Sequence, residues 1–140
     1  MIEPPAGAVI LKTGIVFRLA KITDQFPKGS TKLLASHLSL EEEDKGKLSV
    51  YDLARTTTDQ ARTLMESKAD YAAHGWNVED VHVIRLPRDD RQKLWVIRDI
   101  DHSDEREGAN GHCAIVGLAR PKIERKALRD KLIEKAFHVH

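Results

Sequence analysis

The chain has 140 residues, a length that fits one folded domain able to bury roughly two thirds of its unfolded surface without staples. Its charges nearly cancel, 23 basic against 22 acidic for a net +1, which tells against a dedicated nucleic-acid binder with a strongly basic face. The single cysteine, Cys113, excludes an intramolecular disulfide and a thiolate zinc cluster. The opening Met1-Ile2-Glu3-Pro4-Pro5 lacks the basic stretch of a secretory signal. No run approaches the ~18–20 apolar residues of a membrane span, so the expectation is a soluble, cytoplasmic protein with no membrane partner.

Residues 8–22 read as a first strand region. Val9, Leu11, Ile15, Phe17 and Leu19 fall on odd positions, which predicts one buried face, and Gly14 marks a bulge or bend. Residues 26–30 form a turn, 31–40 fit strand and helix equally, and 41–47 are a charge run that no core could desolvate. Residues 48–53 alternate like a strand. Thr57-Thr58-Asp59-Gln60 is then a capping box, with Thr57 as N-cap and Gln60 reaching back. It predicts a helix with Ala61, Leu64, Met65, Lys68, Ala69 and Ala72 on one stripe, closed at His74-Gly75 by a left-handed glycine.

Residues 81–86 and 94–98 read as two arms of a hairpin around a turn at 87–91, followed by a polar loop over 101–110. Residues 113–118 form an apolar run of strand length, buried on both faces, and Pro121 opens a final helix over 122–137. In that helix Leu128, Leu132 and Ala136 share one line, while Ile123, Ala127, Ile133 and Phe137 lie nearly opposite at about 100° per residue. A helix docked by one face needs only one stripe, so the pattern predicts a seam for a protein partner or a second copy, assigned to Leu128, Leu132 and Ala136. Trp76 and Trp95 are expected to anchor the core, and His138-Val139-His140 to be a frayed end. The element order predicts a single α+β domain over 1–140, with an antiparallel or mixed sheet of about five strands carrying two main helices.

Three constellations can carry chemistry. His37-Leu38-Ser39-Leu40 resembles the histidine–apolar–Ser/Thr–apolar signature of the 2H phosphoesterases, and His112-Cys113-Ala114-Ile115 is its possible partner. The resemblance implies two strand segments that set two imidazoles across a cleft, one acid and one base, on a phosphodiester. It also implies that a hydroxyl two residues on holds a phosphate oxygen, because i and i+2 share a strand face. It assigns His37, Ser39 and His112 as catalytic. The second segment departs from the signature, with Ala114 where the hydroxyl belongs. Asp99, Asp101, His102, Asp104, Glu105 and Glu107 are the right ligand types for a divalent cation, but their spacing is not that of a calcium loop, so no metal and no cofactor is expected. Cys113 is poorly placed to be activated by His112, since neighbours in a strand point to opposite faces.

The arginines at 55, 62, 85, 88, 91, 98, 106 and 120 are dispersed among acids, which leaves nucleic-acid binding open without favouring it. The leading expectation is therefore a small protein-binding or accessory module without catalysis of its own. The alternative is a small phosphoesterase or RNA-processing enzyme using His37 and His112.

Overall fold

The computed structural model describes residues 7–21, 47–63, 71–98 and 111–139. In chain order its elements are β1 (Ile15–Lys21), β2 (Leu48–Asp52), α1 (Thr58–Thr63), β3 (Tyr71–Asn77), α2 (Val78–His82), β4 (Trp95–Arg98), β5 (His112–Val116), α3 (Lys122–Lys135) and β6 (Phe137–Val139). The strands form one sheet in the order β4-β5-β2-β1-β3-β6, with every pairing antiparallel. The α+β class holds, with six strands and three helices among the described residues in place of about five and two.

The sheet has two unlike faces. Cross-strand register places Val16, Val50, Trp76, Val96 and Ile115 on one side, where Val78, Val81, Leu128 and Leu132 from α2 and α3 close a single large core. This is the helix face. Trp76 is fully buried there, and its indole N–H donates to the Leu132 carbonyl at 2.7 Å, which ties β3 to α3. The opposite face holds two smaller apolar clusters: Phe17, Ala61, Ala73 and Val139 at one end, and Ile97, Ala114 and Val116 at the other.

Several elements differ from the sequence expectation for identifiable reasons. The capping box exists, with Thr57 N–H donating to Gln60 Oε1 at 3.0 Å and Gln60 N–H to Thr57 Oγ1 at 3.1 Å. The helix it starts does not reach His74-Gly75, which lie in the middle of β3. Gly75 is needed not for a left-handed cap but for close approach, since a Cβ there would stand 2.7 Å from Val139 Cγ2 and 3.1 Å from the Val16 carbonyl oxygen. Leu64, Met65, Lys68 and Ala69 lie outside the described residues.

The expected strand over 81–86 is instead the end of α2 and a turn. Val78, Val81 and Ile84 are buried three residues apart, whereas Val83, which strand alternation would bury with Val81, is 57% exposed. With that strand gone the hairpin goes too, and β4 pairs with β5. The single buried face expected of the first strand becomes two, because β1 sits between β2 and β3 and buries Val16 and Phe17 on opposite sides. The bend at Gly14 is present, with φ +105°, and the segment before it runs along the outer edge of β4. Of the expected frayed end, His138 and Val139 belong to β6, which pairs with β3 through His74↔His138, and His140 lies outside the described residues.

Candidate functional site

The position of His112 is set by the turn that follows β2. Asp52 is buried at the end of that strand. Its side chain accepts the Ala54 N–H at 3.0 Å, and its main-chain carbonyl accepts those of Arg55 and Thr56. Its second carboxylate oxygen meets Arg98 Nη2 at 3.3 Å, joining the ends of β2 and β4 across β5. Gly111 enters against this turn, where a Cβ would collide with the Thr56 hydroxyl at 1.9 Å. The chain thus passes tightly through Gly111 and opens directly onto His112.

Strand alternation then sends Cys113 to the helix face, where it is buried, and His112 to the opposite face. His112 is half-buried. Its Nε2 lies 3.2 Å from the hydroxyl of Ser49, which is exposed, and its ring meets Tyr51 edge-on with centroids 5.5 Å apart. Tyr51 leans in turn on Phe17, centroids 5.7 Å apart, so the imidazole is backed by an aromatic pair rooted in the core. The β2–β5 register is Tyr51↔His112 and Ser49↔Ala114. Ser49 therefore stands directly across from Ala114 on the same face. The hydroxyl that the His112–Ala114 segment lacks comes from the neighbouring strand.

Arg18, which alternation puts on the helix face with Val16 and Ala20, is tied to the backbone of β2 behind this pair. The β1–β2 register runs over Val16↔Asp52 and Phe17↔Tyr51, and one residue further Arg18 Nη1 donates to the Ser49 carbonyl at 3.0 Å. A ring N–H and a neighbouring hydroxyl, whose proton rotates, can both donate to an anionic oxygen within reach of the two. A half-buried imidazole is also suited to giving or taking a proton.

Of the residues singled out from sequence, His37 and Ser39 lie outside the described residues, as do Asp99, Asp101, His102, Asp104, Glu105 and Glu107. Among the described residues no group of three or more His, Cys, Asp or Glu side chains is arranged to hold a metal ion. The line Leu128, Leu132 and Ala136 turns inward. Leu128 and Leu132 are fully buried and Ala136 is partly buried against the same core, so this line docks α3 onto its own sheet. The opposite line is divided: Ile133 also packs on the core, Phe137 leaves the helix for β6, and Ile123 is 85% exposed.

Several arginines act within the fold. Arg85 holds the carbonyls of His82, Ile84 and Asp90, while Arg120 holds those of Gly117 and Lys93. Arg91 chelates Asp89, which also accepts buried Lys93; these partners, Arg91 foremost, hold the Asp89 carboxyl well below the usual carboxylate range.

Sequence reasoning missed Ser49 and Tyr51. Their alternation within residues 48–53 was visible, but only the pairing of β2 with β5 brings them to His112. Among the described residues no helix is long and apolar enough to cross a membrane. Comparison with protein-family models, with curated proteins and with solved structures found no match for this chain.

Proposed function

We propose that the protein is a small phosphoester-directed enzyme in which His112 is the acid–base group and Ser49 holds a phosphate oxygen. The observation that carries this reading is the Ser49 hydroxyl 3.2 Å from His112 Nε2, at the position directly across from Ala114. It repairs, in space, the one departure of His112-Cys113-Ala114-Ile115 from the signature that His37-Leu38-Ser39-Leu40 resembles. Arg18, held on the Ser49 carbonyl, fixes the backbone of β2 behind the hydroxyl. His37 takes the role of the second imidazole in this reading. General acid–base groups of this kind contribute about 10²–10⁴-fold each to a rate.

The test moves the hydroxyl from one strand to the other. Hydrolysis of cyclic and linear phosphodiesters is measured for the wild type, Ser49→Ala, and the double variant Ser49→Ala with Ala114→Ser. Loss in the single variant and recovery in the double one supports the reading, because residue 114 shares a face with His112. Full activity in Ser49→Ala, or none in the wild type, overturns it.

A second reading, the protein-binding or accessory module without catalysis, draws on Ile123, which projects from the first turn of α3 with 85% of its surface exposed. A single exposed apolar side chain is ordinary on a protein surface, so this support is the weaker. Light scattering of the wild type and Ile123→Glu tests its self-association form: a dimer that the variant dissolves supports it, and monomers throughout count against it.

A further inference from the structure

The outer edge of β4 is closed in an unusual way. A residue in a strand points its N–H and C=O to the same side, and at Val96 both face away from β5. The Val96 carbonyl accepts the Leu11 N–H at 2.9 Å, and the Arg98 N–H donates to the Val9 carbonyl at 2.9 Å, so residues 9–11 lie along this edge as a strap. The Val96 N–H has a different partner: it donates to His82 Nε2 at 3.0 Å. A side-chain nitrogen at the end of α2 thus fills one place in the hydrogen-bonding row of a sheet edge.

This bond exists in only one protonation state. A neutral imidazole with its proton on Nδ1 has a lone pair at Nε2 and can accept; an imidazolium carries N–H at both positions and would face Val96 donor to donor. We propose that His82 is an acid-sensitive latch, holding α2 against the edge of β4 when neutral and releasing that contact when Nε2 is protonated.

The surroundings favour the neutral form. Burial lowers the His82 pKa from the ordinary histidine value of about 6.5. The charged and titratable groups on the elements packed around it are mostly cationic. Arg85 lies against the His82 carbonyl, Lys12 follows the strap, Arg98 ends β4, Arg125 and Arg129 lie on α3, and Lys93 precedes β4 in its pair with Asp89. His74 lies on β3, and Glu79 and Asp80 in the first turn of α2 are the carboxylates of its own helix.

The sign follows from the lowered value. The folded state binds its proton less readily than the unfolded chain, so the contribution of His82 is complete above pH ~6.5 and is lost as pH falls through the lower folded value. Release leaves the Val96 N–H without its acceptor at the sheet edge, while the strap keeps its own bonds to the Val96 carbonyl and the Arg98 N–H.

Amide exchange and imidazole NMR on the whole protein test the latch. At pH 7.5 the His82 ring should show the Nδ1–H tautomer and titrate with a midpoint below ~6.5. The protection factor of the Val96 amide should fall with acidification through that midpoint, by up to about tenfold for each unit separating folded and free values, while amides of β2 hold theirs. In His82→Gln, whose amide oxygen can accept but does not titrate, Val96 protection should not depend on pH in this range. An Nε2–H tautomer at neutral pH, or a midpoint at or above ~6.5, overturns the proposal from the wild type alone. So does Val96 protection that does not follow the His82 titration.

Discussion

The two faces of this sheet are built to different standards, and the contrast separates what holds the protein together from what it can do. On the helix face the core is continuous: α2 and α3 close over a cluster drawn from five of the six strands, and Trp76, the largest buried side chain there, finds a partner for its N–H. On the opposite face the apolar residues split into two clusters, and Ser49, Tyr51 and His112 stand on β2 and β5, where the two clusters meet. A polar group inside the first region would have to be fully satisfied or cost several kcal/mol, on the order of 2–7. In the second, partial exposure leaves an imidazole and a hydroxyl free to exchange partners. Stability belongs to the first face and chemistry to the second.

Substitutions can break or sharpen that division. The largest loss is expected from Leu132→Ala, which leaves a cavity under α3 and should lower unfolding stability by about 2–5 kcal/mol in denaturant titration. Trp76→Phe keeps most of the volume but leaves the Leu132 carbonyl without its indole donor, for about 1–3 kcal/mol. Thr57→Ala removes half of the capping box on α1 and should cost about 1 kcal/mol. His112→Ala and Ser49→Ala should fall below these, under about 1 kcal/mol, because their mutual hydrogen bond is solvent-exposed. A His112→Ala loss as large as that of Leu132→Ala would erase the division and make His112 a structural residue.

The sequence made legible those features that depend on near neighbours. The capping box at Thr57–Gln60, the bend at Gly14, the twofold burial of residues 113–116 and the opposite facing of His112 and Cys113 all follow from local chemistry, and all are present. What failed was decided by contacts distant in sequence. His74-Gly75 looks like a helix end because glycine after histidine is an ordinary cap, yet the glycine is required by Val139 and Val16 from two other strands. Val81 and Val83 look like alternation, but the buried set is 78, 81 and 84, which only the packing of α2 under α3 selects. The two lines of α3 suggested an outside partner because the sequence does not announce that the chain turns back as β6, one residue after the helix, and takes Phe137 to the other face. The site was half visible. His112 stood out as the opening of a buried strand, whereas Ser49 becomes its partner only through a strand pairing across 63 residues of chain.

The most direct measurement is the hydrolysis rate of a phosphodiester by His112→Ala relative to wild type, with unfolding midpoints recorded on the same preparations. The account predicts a fall of about 10²-fold or more with little change in midpoint. Equal rates for the two proteins, or no hydrolysis by the wild type, would contradict it.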